Sequence, residues 1–131
     1  MPDRKKLDAL SRLAAAEFRA KQAEFASILA HEAQLRENLA QLMASRNTRS
    51  AAIPSLGDAA LNAGADMRWL QWVDQRRAAI NVELARVMVK KESFKIQLQR
   101  AFGRNQAAEA LIRAAAAADR QKIARKRAYE S

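Results

Sequence analysis

Few side chains in this sequence could do bond-making chemistry. The single histidine, His31, has Glu24, Glu32 and Gln34 nearby in the chain. No second ligand stands three or four residues away on the same helical face, so no metal site is expected. There is no cysteine, which removes disulfides and thiolate-ligated zinc. Serines are plentiful, but no base is placed to activate one. The phosphate-cradling pattern GxxxxGK is missing, so nucleotide chemistry has no anchor. The expectation is a protein that is not an enzyme and uses neither metal nor cofactor. His31 is expected on the surface or at the edge of a seam.

The chemistry on offer is charge and aromatic contact. The 131 residues carry 24 Lys and Arg against 14 Asp and Glu, a net charge of +10. Such a balance favours partners with negative surfaces. The excess is clustered. Residues 86–104 hold Arg86, Lys90, Lys91, Lys95, Arg100 and Arg104 against Glu92 alone. The last fifteen residues hold Arg120, Lys122, Arg125, Lys126 and Arg127 against Asp119 and Glu130. Both runs read either as a solvated face or as an electrostatic docking surface. Both tryptophans, Trp69 and Trp72, fall within "GADMRWLQWV" (64–73). Large amphipathic aromatics on a rigid surface are typical binding anchors. The competing reading is that Trp69 closes a seam and Trp72 packs under the adjoining loop.

Long helices must position these groups. Alanine, leucine, arginine, lysine, glutamate and glutamine dominate, and all are strong helix formers. Half the residues are hydrophobic by class, but many of those are alanine, so a narrow seam is expected in place of a bulky core. Leu7, Leu10, Ala14, Phe18, Phe25, Ile28, Leu35, Leu39 and Leu42 form an apolar stripe along a helix over about 3–49. Asp3 is its expected N-cap. Pro54, Gly57 and Gly64 mark a tip loop over 50–64, within which Asp58 to Asn62 could form a helical turn.

A second helix is expected over about 66–129. Its seam has one row at Leu70, Arg77, Leu84, Lys91, Leu98, Asn105 and Ile112. The other row is Val73, Ile80, Val87, Phe94, Ala101, Ala108 and Ala115. This alternation of three and four is the coiled-coil pattern, and polar members of a seam fix register.

Two helices and one break predict a single all-α domain: a long antiparallel two-helix coiled-coil hairpin with a longer C-terminal helix. If residue 49 lies near 66, Leu7 lies near Ala108. The second helix then overhangs its partner beyond about residue 112, by roughly 25 Å. An unpaired helix so rich in alanine is marginal alone. It calls for surroundings supplied by something else.

The layout resembles the FliJ/YscO family of stalk proteins of flagellar and virulence type III export. The residues that carry the likeness are "LDALSRLA" at the start, "ENLAQLMASRN" before the tip and "MRWLQWVDQRRAAI" after it. The resemblance covers nearly the whole chain and rests mostly on layout. It implies a cytoplasmic protein, peripheral to the inner-membrane export apparatus and without an integral membrane segment. It further implies insertion into the pore of a hexameric export ATPase, promoting its assembly and turnover. It implies contact with the export gate, a membrane protein, and in some members with export chaperones.

By the same resemblance the gate contact falls on Asn38, Leu42, Ser45 and Arg49 of the first helix. On the second it falls on Trp69, Trp72, Gln75, Ala79 and Arg86. Ser45 and Arg49 stand where the family has tyrosines, and Ala124 and Arg125 where it has an acidic pair. Trp72 stands where an aromatic is common. A ring pore would also supply the surroundings that the overhang lacks. Arg113, Arg120, Lys122, Arg125, Lys126 and Arg127 are the expected contacts with acidic groups inside the ring.

Two other readings compete. A basic coiled coil could bind nucleic acid through backbone phosphates, although the basic runs lack interleaved aromatics and any groove-reading motif. A generic adaptor could pair its stripe between chains. A peripheral membrane helix fits least, because the C-terminal run offers only Leu111, Ile112, Ile123 and Tyr129 as bulky apolar groups.

Overall fold

The computed structural model describes residues 4–51 and 59–131, apart from the side chains of 50, 51 and 59–62. Two helices account for nearly all of it: α1 (Arg4–Ala51) and α2 (Ala59–Glu130). The chain is all-α, and α2 is the longer, at 72 residues against 48. Asp3, Pro54 and Gly57 lie outside the described residues.

Two compact units divide the chain, and each takes a segment from both helices. One comprises Met1–Ala26 and Ser93–Ser131, the other Ser27–Glu92. They are called here the terminal unit and the middle unit.

In the terminal unit the segments run antiparallel. Arg4 pairs with Asp119 at 3.2 Å, Glu17 with Arg104, and Lys21 Nζ donates to Gln97 Oε1 at 3.2 Å. Phe18 meets Phe102 with ring centroids 5.4 Å apart, and Phe25 stacks on Phe94 at 6.5 Å. Ala14, Phe94, Ala101 and Ala108 are buried between the segments. Small alanines let the backbones approach, and the four phenylalanines fill the wider part. Lys21 is a half-buried seam member. Its stem covers the seam while its ammonium lies 5.1 Å from the Phe94 ring centre and reaches Gln97.

The expected pairing of Leu7 with Ala108 is not found. Ala108 lines the same groove as Leu10 and Ala14, a displacement of about five residues. The cause lies in the starting assumption. Arg49 does reach Asp66, at 3.1 Å, but the same guanidinium stacks on Trp69 at 4.6 Å. That contact belongs to the middle unit and does not set the register of the terminal one. There Arg4 meets Asp119, so the antiparallel overlap passes the expected end at about 112, and the segment beyond the last described ion pair is correspondingly shorter.

In the middle unit the segments are again antiparallel, as the Glu32–Lys91 and Arg49–Asp66 pairs require. Ile28, Leu35 and Leu42 of α1 are buried with Val73, Ile80, Leu84 and Val87 of α2. Val73 is completely enclosed, at 0 % exposure. The α2 seam is as the heptad pattern predicts except at Arg77, which is exposed although it stands in the first row. The α1 seam is less apolar than the stripe suggested. Glu32 is buried at 8 % exposure, and Lys21 and Arg46 are half-buried, each at a three-or-four step from the apolar members. Leu10 belongs outside the seam, being 49 % exposed.

Glu32 is tolerated because its charge is matched. Lys91 Nζ donates to its Oε2 at 3.1 Å, and Arg36 Nη2 donates to its Oε1 at 3.0 Å. The Lys91 hydrogen bond first, and the Arg36 hydrogen bond second, hold the carboxyl below the usual glutamate range. Lys91 was legible as a polar seam member, and Glu32 is the α1 partner that makes it a register lock. Asn105, the next polar member of the same row, leaves its buried Oδ1 without a hydrogen-bond partner among the described residues.

Gly64 does not mark a turn. It lies inside α2, which starts at Ala59, so over 59–62 the expected turn is the beginning of the helix, and Asp58 lies outside the described residues. A helical glycine costs roughly 1 kcal/mol against alanine, which a helix this long and alanine-rich absorbs.

Candidate functional site

The two tryptophans take different roles, although they are one turn apart. Trp69 is half-buried and is covered by the Arg49 guanidinium, itself held by Asp66. This is a closed stack, with the ring face already occupied by a cation. Trp72 lies on the next face and is 53 % exposed.

Trp72 forms one wall of a recess of about 290 Å³, lined by Asn38, Gln41, Leu42, Ser45, Trp72, Arg76 and Ile80. Buried Leu42 and Ile80 form its floor. Its rim is polar. Gln34 Nε2 donates to Asn38 Oδ1 at 2.8 Å, which orients the Asn38 amide. Gln41 Nε2 donates to Glu37 Oε1 at 3.2 Å. An aromatic wall, an apolar floor, two amides and an arginine suit a peptide segment that presents one apolar side chain and a carboxylate or backbone carbonyls.

Of the residues singled out by the resemblance, Asn38, Leu42, Ser45 and Trp72 are brought together here. Leu42 is in the seam, so it supports the recess and offers little surface of its own. Ala79 and Arg86 follow Trp72 at seven-residue steps and are exposed on the same helical face. Gln75 is exposed one turn from Trp72. Trp69 and Arg49 engage each other and do not line the recess. Gln41 was missed, and Arg76, on the same helical row as Trp69 and Trp72, was not counted among the contacts. Their spacing from Asn38, Ser45, Trp72 and Ala79 by three or four residues was the available signal.

The ring-contact candidates all belong to the terminal unit. Arg113, Arg120, Lys122, Arg125, Lys126 and Arg127 are exposed. Every residue from Arg120 to Ser131 is exposed, although α2 continues unbroken to Glu130. The segment is thus a solvated, cationic helix end. The helix dipole places partial negative charge at its terminus, which favours cations in the last turns.

His31 Nε2 lies 3.3 Å from a Glu83 carboxylate oxygen at the edge of the middle unit's seam, both half exposed. No group of three His, Cys, Asp or Glu capable of holding a metal occurs among the described residues. No described helix is long and apolar enough to cross a membrane. No family model, curated protein or solved structure matches this chain.

Proposed function

We propose that this chain is the central stalk of a flagellar or other type III protein export ATPase. Its basic C-terminal helix enters the pore of the hexameric ring and promotes the ring's assembly and turnover. The Trp72 recess contacts the export gate, and export chaperones are further partners. In this role the chain performs no catalysis itself and works in the cytoplasm, beside the inner-membrane export apparatus.

One observation carries the reading: a continuous helix from Arg120 to Glu130 in which every side chain is exposed and five cations oppose one carboxylate. Such a segment gains from acidic surroundings and has little apolar surface to bury. Each contact would be a partly solvated ion pair worth about 0–1 kcal/mol. Several weak pairs suit a rod that must shift between equivalent ring subunits. The resemblance in layout supports the same assignment, and so does the half-exposed aromatic at Trp72.

The test is turnover of a purified hexameric export ATPase with the full chain and with a chain ending at Asp119. The full chain should stimulate turnover. The shortened chain should not, while retaining its melting temperature and losing only the helical signal of the removed segment. Full stimulation by the shortened chain overturns the reading.

The terminal unit's charge favours one second reading, a sequence-blind binder of nucleic acid. That unit holds 15 Lys and Arg against seven Asp and Glu, whereas the middle unit holds nine against seven. A gel shift at physiological salt separates the two, because phosphate-backbone binding weakens steeply with salt.

A further inference from the structure

The terminal unit contains a surface that the stalk reading leaves unused. Leu10 and Leu13 of α1 and Leu111 of α2 stand around a groove of about 600 Å³. Their exposures are 49, 69 and 50 %. Buried Ala14 and Ala108 lie along its floor, and the Glu17–Arg104 ion pair stands at one end. Leucine walls above an alanine floor between two antiparallel segments have the shape that receives the knobs of a third helix. Three large apolar side chains left half in water at one place are more than a seam requires. Single exposed leucines are ordinary, but a concave cluster is a contact surface.

We infer that this groove docks an acidic amphipathic helix from a protein partner. The choice of occupant follows from charge. The terminal unit has eight more cations than anions. Lys6 stands one heptad before Leu13 on its face of α1, and Arg100 one heptad before Ala107 on its face of α2. Both are exposed, so the apolar groove lies between cations along its own line. A helix with an apolar stripe flanked by glutamates or aspartates satisfies both features. A second copy of this chain would bring two strongly basic bodies face to face, which disfavours self-association. A bilayer surface is flat and would leave the alanine floor uncovered, whereas a helix can insert side chains down to it.

This surface is distinct from the exposed Arg120–Glu130 segment, so the docking stands or falls independently of ring binding.

The test uses the full chain and a fluorescent synthetic helix of about three heptads, with leucine in its stripe and glutamate and alanine elsewhere. Controls are a scrambled peptide of the same composition, a peptide with lysine in place of each glutamate, and vesicles of anionic lipid. The acidic amphipathic peptide should bind, more weakly as salt rises. Leu13→Glu and Leu111→Glu should each reduce binding by about tenfold or more, which corresponds to roughly 1.4 kcal/mol or above. Both positions are half or more exposed, so the helical signal and melting temperature should hold. Leu13→Ala should give a smaller loss in the same direction.

Failure of the acidic peptide to bind overturns the inference, as does equal binding by the scrambled peptide or by folded Leu13→Glu. Leucine-dependent binding of vesicles without binding of the peptide would assign the surface to membrane. Leucine-dependent sedimentation as a dimer would assign it to a second copy. Either result contradicts the docking proposed.

Discussion

Trp72 and Ile80 line the same recess, yet they should respond to truncation in opposite ways. Ile80 is 2 % exposed. Ile80→Ala removes a seam side chain and leaves a cavity, at a cost of about 2–5 kcal/mol. Trp72 hides roughly half of a side chain that can bury up to about 250 Å², or somewhat over 100 Å². At about 25 cal/mol per Å² that is at most about 3 kcal/mol. Part of that concealment comes from its own helical turn and survives in any helix. Alanine is also the better helix former, by roughly 0.5 kcal/mol. A net cost of about 1–2 kcal/mol is expected for Trp72→Ala.

For a chain of this size each kcal/mol moves the melting temperature by about 3–5 °C. Thermal unfolding followed by circular dichroism should therefore show a loss of about 10–15 °C for Ile80→Ala and about 5 °C for Trp72→Ala. Binding to the export gate's cytoplasmic domain, measured well below both melting points, should reverse the order. Trp72→Ala should lose about tenfold or more, as anchors at interfaces do, while Ile80→Ala stays close to the parent chain. The reasoning is refuted if Trp72→Ala melts as low as Ile80→Ala and binds the gate normally. Trp72 would then be a core residue.

Glu32→Gln tests the seam's ionic lock. The folded carboxyl titrates below its ordinary value because Lys91 and Arg36 donate to it. Its stabilisation is thus present above the unfolded pKa of about 4.3 and is lost as pH falls through the lower folded value. The parent should lose stability on acidification below about pH 4, and Glu32→Gln should be less stable at neutral pH with a flatter acid profile, both read by urea unfolding. Gly64→Ala and Gly103→Ala should each stabilise α2 by about 0.5–1 kcal/mol in thermal melts. Both glycines are helical, neither has a positive φ, and a Cβ at either would meet nothing within 4 Å.

The α2 seam was readable because its heptad runs without interruption from Leu70 to Ala115, and burial follows it at every member but Arg77, whose long charged side chain reaches solvent. The α1 seam was harder to read. Counting only apolar residues skips Lys21 and Glu32, which occupy seam positions because Phe94, Gln97 and Lys91 satisfy them from the other helix. A cross-helix partner is invisible in a single helical stripe. The start of α2 was concealed by Gly64, since a local breaker signal says nothing of the length of helix available to override it. The exposure of Trp72 was legible from its place beside the seam, one residue before the buried Val73. The Arg49 stack on Trp69 did not, because it depends on where the other helix passes. The leucine groove was half seen: Leu10 was assigned to the stripe, and Leu13 with Leu111 had no role until the register brought them to one place.

The central claim is that the exposed cationic helix end sits inside an acidic ring. The chain has no cysteine, so Ala124→Cys gives a single labelling site in the middle of that segment. A photo-crosslinker attached there, in the presence of the assembled hexameric export ATPase, should mark residues lining the ring's pore. Marks confined to the ring's outer surface, or to nucleic acid with the pore untouched, would contradict the account.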